Sequence, residues 1–132
     1  MASVFTKIIN GEIPGTFIHQ DEHCVAIMTI QPLREGHVLV IPKLEIDHWY
    51  DMEDDLTSHI MLVSKKISQA IKIAYPCERV GMMIAGLEVP HTHVHLMPID
   101  SMADFDLSSV SFAEPEALKI AADKITEVLQ AL

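Results

Sequence analysis

The sequence predicts an α+β fold: an antiparallel five-stranded sheet with a long central helix, a short N-terminal helix and a C-terminal helix. Three observations carry this. Helical and strand-like segments follow one another in the order α-β-β-β-α-β-β-α. The early connections are short, which suits an antiparallel sheet covered by helices. The longest periodic segment is a helix with a single apolar stripe, a surface made to lie on a sheet. The 132 residues form one domain, residues 1–132, large enough to bury a core without staples.

"SVFTKIING" reads as the first helix, with Ser3 as its cap and Val4, Phe5, Ile8 and Ile9 on one side. Asn10-Gly11 ends it. "EIPGT" is a turn, and "FIH" and "CVAIM" are strands on either side of the acidic turn "QDEH". "QPLREG" is a loop, and "HVLVIP" is a strand that stops at Pro42. In "DMEDDLTSHIMLVSKKISQAIKIAY", Leu56, Ile60, Val63, Ile67, Ala70, Ile71 and Ala74 recur at helical spacing. Its acidic start, Asp51 to Asp55, and its later lysines suit the helix dipole. "RVGMMIAG" and "HTHVHLM" are the last two strands, with Met82 and Met83 as packing residues. "SMADFDLSSVSFAE" is irregular. A closing helix runs from Pro115 to Leu132, with Leu118, Ala121, Ala122, Ile125, Val128 and Leu129 on one side.

Composition excludes several functions. The formal charge is −10 and no Lys/Arg cluster occurs, which argues against nucleic acid and anionic membrane as partners. No apolar run approaches the ~20 residues of a membrane span. Cys24 and Cys77 are too few for a disulfide framework, and no secretory leader pattern is visible, so a reducing cytoplasm is the expected compartment. The apolar share of 49% predicts that part of the surface is covered by a partner subunit.

The chemistry concentrates in "VPHTHVHLMP". On a strand, alternate side chains share a face. His91, His93, His95 and Met97 then face a cleft, while Thr92, Val94 and Leu96 face the helices. Two such imidazoles can share a metal, because same-face neighbours lie roughly 6.5 Å apart. Three cannot, since His91 and His95 are about 13 Å apart along a straight strand and a Zn–N bond is about 2 Å. Glu88, His37, Glu45 or His48 would have to complete a metal site, and no spacing singles them out. The alternative is metal-free nucleophilic chemistry. A neutral imidazole attacks phosphorus well when its other nitrogen keeps its proton in a hydrogen bond. A second imidazole on the same face can contact phosphate oxygens or the leaving atom. His19, His23 and His59 read as solvated or interfacial. His48, beside Trp49 and Tyr50, reads as lining a dimer contact or the cleft.

The segment H-T-H-V-H-L-M resembles the signature of the histidine triad family. "VFTKIINGEIP", "GHVLVIPK" and "AGLEVPH" resemble the family's opening helix and turn, its central strand and the turn before the triad, so the resemblance spans most of residues 3–98. It implies a homodimer acting on a nucleotide by double displacement, without metal or other cofactor. His93 would be the nucleophile, and His95 would assist the leaving group or hold the phosphate. His91 would orient His93, and His37 would support the cluster. The resemblance also places Val4, Phe5, Ile8, Ile27 and Ile30 around the base, Thr29 at the ribose, and Glu88 and Val89 beside the phosphate.

Three departures from the family pattern stand out. Thr29 stands where an acidic residue or amide often grips the ribose. Ser3, Thr6 and Glu45 stand where many bacterial members carry two cysteines and a histidine around a structural zinc, so no structural zinc is expected here. Leu87 and Glu88 replace a common Gln and a small or polar residue. The expected activity is hydrolysis of purine nucleoside 5′-phosphoramidates. The alternatives are a dinucleoside polyphosphate hydrolase, or a nucleotide-binding or interaction module with little activity.

Overall fold

The computed structural model describes residues 2–132. Helix α1 (Val4–Ile9) begins where the Ser3 side chain accepts the Thr6 N–H, and ends at Asn10 before Gly11 at φ 82°. The sheet contains β1 (Phe17–Gln20), β2 (Cys24–Met28), β3 (Val38–Pro42), β4 (Arg79–Met83) and β5 (Val94–Ile99). Their spatial order is β1-β2-β3-β5-β4, and every pairing is antiparallel. Two further helices, α2 (Asp54–Ala74) and α3 (Pro115–Ala131), pack against each other and cover one face. This is the α+β architecture that the sequence periodicity predicts.

The two faces carry different cores. Cys24, Ala26 and Met28 of β2, Val38 and Val40 of β3 and Val94 and Leu96 of β5 pack against Ile60, Ile67, Ile71, Leu118 and Ile125 of the two long helices. Fully burying such an aliphatic side chain stabilises the fold by roughly 1.5–3 kcal/mol. On the other face, Val25, Ile27, Leu39 and Ile41 pack under Phe5, with Ile8, Phe17 and Val89 at the margin. Helix α1 therefore acts as a lid over the centre of the sheet. Strands β2 and β3 are buried along their whole length, in keeping with their unbroken apolar runs. No helix among the described residues is long and apolar enough to cross a membrane.

Three boundaries differ from the sequence-based expectation. Helix α2 starts at Asp54 because Met52 is extended and buried and Glu53, at ψ 151°, is not helical, while Trp49–Asp51 form a separate 3-10 turn. The stretch after β5 contains two 3-10 turns, Met102–Phe105 and Leu107–Ser109. The last strand begins only at Val94, so His91 and His93 precede it. There the His91 N–H bonds the Val89 carbonyl at 2.8 Å and the Thr92 N–H bonds the Ile46 carbonyl at 2.7 Å, which takes both donors away from a ladder. His91 and His93 therefore lie outside the strand whose alternation would set their facing.

The turn into β3 depends on Gly36, which has φ 91° and would place a Cβ 2.8 Å from the Tyr75 ring. Left-handed backbone strain and overpacking together predict that Gly36→Ala loses roughly 2–4 kcal/mol of stability. Denaturant unfolding would measure this, and a variant as stable as the parent would contradict the turn geometry.

Candidate active site

The antiparallel pairing of β3 with β5 matches Leu39 to His95 and Val38 to Leu96. That register carries His95 to the strand that His37 enters. The His37 Nε2 lies 2.9 Å from His95 Nδ1. His37 Nδ1 accepts the Leu33 N–H at 3.1 Å. A nitrogen that accepts from a backbone amide carries no proton, so the His37 proton sits on Nε2 and is donated to His95 Nδ1. The neutral His95 ring must then hold its own proton on Nε2.

The other two imidazoles are fixed by carbonyl groups, which only accept. His93 Nδ1–H donates to the His91 carbonyl at 2.8 Å. His91 Nε2–H donates to the Pro42 carbonyl at 2.8 Å. His93 is thereby left with a lone pair on Nε2, the arrangement a nucleophilic imidazole needs. The His93 and His95 ring centroids are 5.0 Å apart. The pair therefore presents one lone pair and one N–H side by side.

These rings are more enclosed than the open cleft expected from the sequence. His91 is fully buried and His93 is 7% exposed, with the Phe5 ring edge-on at 4.8 Å from His93. Ser64 Oγ is the only sealed, unpartnered side-chain polar atom among the described residues. The unpartnered Nε2 atoms of His93 and His95 consequently still reach solvent. A cavity of about 380 Å³ lies beside α3 and the loop before β3, but none of these imidazoles lines it.

Burial decides the charge of the cluster. It pushes His37 down to about 3, helped by the neighbouring His95, and His95 down to about 4, helped by His93. Burial also lowers His93, and the Glu88 carboxylate acts the other way. All three are neutral at pH 7. The unfolded chain protonates these rings near pH ~6.5, while the folded chain resists until much lower pH. Stability from this source is complete above the unfolded value and is lost as pH falls from there toward the folded values. Each such histidine costs about 1.4 kcal/mol per pH unit inside that window. From His37 and His95 together, the urea midpoint should therefore fall by the equivalent of roughly 3 kcal/mol between pH 7.5 and 5.5. A midpoint that stays level would mean the rings are solvated in the native chain.

Ser3, Thr6 and Glu45 converge on His91. Ser3 Oγ–H donates to His91 Nδ1 at 2.6 Å. Thr6 Oγ1 and the Ser3 N–H both donate to Glu45 Oε1 at 2.7 Å. These bonds hold the Glu45 carboxyl below its ordinary range, the Ser3 N–H contributing most. Two hydroxyls replace the thiolates a structural zinc prefers, and His91 Nδ1 is taken by a proton donor, so the set does not fit that ion. It ties α1 to the triad by hydrogen bonds instead.

The residues placed around a nucleotide divide into two groups. Phe5, Ile8, Ile27 and Val89 meet in the apolar cluster under α1. Val4 and Ile30 are exposed, as is Glu88. Thr29 Oγ1 accepts the Gln31 N–H at 3.2 Å and keeps its own proton free to donate. Sequence reasoning missed the backbone partners Leu33, Pro42 and Ile46. It also missed that His19 and His59 both reach Asp21.

Comparison with known proteins agrees with this architecture. The crystal structure of a Hit-like protein from Bartonella henselae superposes with a TM-score of 0.85 at 27% identity, covering 96% of this chain and 95% of that one. An uncharacterized HIT-like protein of Borreliella burgdorferi is 33% identical over 132 residues, 95% of this chain and 91% of the relative. The adenosine 5'-monophosphoramidase of Saccharomyces cerevisiae is 36% identical over 98 residues, 74% of this chain and 62% of the relative. The HIT domain model matches residues 10–102. The chain belongs to the histidine triad (HIT) family.

Proposed function

We propose that this chain is a nucleotide hydrolase that cleaves nucleoside 5′-phosphoramidates, purine nucleosides preferred, through a nucleotidyl-His93 intermediate. The observation that carries this reading is the tautomer of His93: Nδ1–H is held by the His91 carbonyl and Nε2 has no partner among the described residues. The name of the yeast relative, an adenosine 5'-monophosphoramidase, supports the substrate class.

In the first step the Nε2 lone pair forms a bond to phosphorus and the P–N bond to the amine breaks. The amine leaves with a proton from water. The resulting imidazolium keeps its Nδ1–H on the His91 carbonyl, which disperses the new positive charge. Water then attacks the same phosphorus, the Nε2–P bond breaks, and the nucleoside monophosphate departs. His95 Nε2–H contacts the phosphoryl oxygens, and His37 holds that tautomer. His91 positions His93 and is itself held by the Ser3–Thr6–Glu45 network. The apolar cluster of Phe5, Ile8, Ile27 and Val89 offers one face to the base, with Val4 and Ile30 at its rim. Thr29 donates to the ribose, and the turn at Glu88 and Val89 lies beside the phosphate. The active form is a homodimer that needs no metal or other cofactor.

The test is turnover of an adenosine phosphoramidate with and without chelator, followed by mass spectrometry of the acid-free quenched reaction. The expected result is chelator-insensitive turnover and an adenylyl adduct on His93. An adduct elsewhere, or turnover abolished by chelator, would overturn the mechanism.

A further inference from the structure

We propose a second, separate site: a transition-metal site formed by His19, Asp21, Cys24 and His59, suited to Zn²⁺. It lies where the β1–β2 turn meets α2. Cys24 belongs to the core between sheet and long helices, while Phe5, which packs on His93, belongs to the core on the other face of the sheet.

Three donors converge there on one atom. His19 Nε2 is 2.6 Å and His59 Nε2 is 2.8 Å from Asp21 Oδ2, and Cys24 Sγ is 3.5 Å from the same oxygen. The ligating atoms of His19, Asp21 and Cys24 all lie within 4.8 Å of one another. Around a tetrahedral zinc, neighbouring ligand atoms stand roughly 3.3–3.8 Å apart, given bonds of about 2.0–2.3 Å. The sulfur already has that spacing from Asp21 Oδ2, and each imidazole needs to withdraw from that oxygen by less than about 1 Å; His59, which lies outside the 4.8 Å group, must also swing toward the other ligands to become the fourth. Each currently aims a proton at Asp21 where an ion would put its charge.

The carboxylate is held for the purpose. Asp21 Oδ1 accepts the His23 and Cys24 N–H groups at 2.7 and 2.9 Å, which leaves Oδ2 to face the cluster. Such outer hydrogen bonds orient metal-binding carboxylates. Two imidazoles, one carboxylate and one thiolate suit Zn²⁺ or Co²⁺, whereas Mg²⁺ and Ca²⁺ take oxygen ligands. Access is through the half-buried His19, Asp21 and His59 side chains, not through the sealed Cys24. A bound ion would staple the β1–β2 hairpin at the edge of the sheet to the first turns of α2.

The site is tested on the full chain, reduced and stripped with chelator, then titrated with Co²⁺ alone. The expected result is one ion per chain, with a near-ultraviolet thiolate-to-cobalt band and the intense visible bands of tetrahedral Co²⁺. Zn²⁺ should displace the signal and raise Tm. His19→Ala should weaken binding at least tenfold, and Cys24→Ser should abolish the thiolate band. Cys77→Ser and His93→Ala should retain the full signal. If the Cys24 variant fails to fold, His19→Ala and Cys77→Ser together still decide. Absence of the band, its persistence in Cys24→Ser, unchanged affinity in His19→Ala, or its loss in His93→Ala or Cys77→Ser would each overturn the proposal.

Discussion

His93→Ala is expected to lower kcat for an adenosine phosphoramidate by on the order of 10⁵-fold, with KM changed only a few-fold. The asymmetry follows from where the ring sits. In the proposed mechanism it supplies the atom that bonds to phosphorus, while the base and ribose would be held by α1, β2 and the following loop. Losing the ring also removes its contact with Phe5 at 4.8 Å, so some stability is lost as well. Circular dichroism and an unfolding curve separate that loss from the loss of chemistry. His93→Gly offers a sharper check, because free imidazole can enter the space and restore part of the turnover. Wild-type turnover in His93→Ala would remove this residue as the nucleophile. A rise in KM that accounts for the whole loss would make it a binding residue.

Much of this arrangement is legible in the sequence because it depends on side-chain periodicity. The helical stripe of α2 from Ile60 to Ala74 and the unbroken apolar runs of β2 and β3 each specify an element and its buried surface. What was not legible depends on backbone groups and on distant pairs. Leu33 matters through its N–H and Pro42 and Ile46 through their C=O groups, which nearly every residue type offers equally, so no pattern marks them. The late start of the triad strand at Val94 follows from two such bonds, His91 N–H to the Val89 carbonyl and Thr92 N–H to the Ile46 carbonyl. Ser3 and Thr6 have helical spacing and reveal a common face, but their link to Glu45 closes a loop of some forty residues. His19 and His59 read as unrelated surface histidines until the β1–β2 turn sets Asp21 between them. The same alternation rule that located the imidazoles also overstated their exposure, because it does not register that α1 covers that face of the sheet.

His95→Ala is expected to lower kcat by roughly 10²–10³-fold, and by the same factor for amine and aryl-oxide leaving groups. A general acid would behave differently. It would matter greatly for an amine and hardly at all for an aryl oxide, which departs without a proton. The hydrogen-bond chain argues for the first behaviour. Leu33 N–H occupies His37 Nδ1, so the His37 proton is directed at His95 Nδ1. A doubly protonated His95 would set two protons against each other across 2.9 Å. Burial opposes that charge further and pulls His95 down to about 4. The ring is therefore held as a neutral donor, fit to stabilise charge on phosphoryl oxygens in a low-dielectric site and unfit to surrender its only exposed proton. His95→Asn keeps an N–H donor and should recover part of the loss, whereas His37→Ala, which frees the tautomer, should resemble a milder His95→Ala. A loss confined to amine substrates would show that the chain of imidazoles does pass protons, and that the Leu33–His37 bond breaks during turnover.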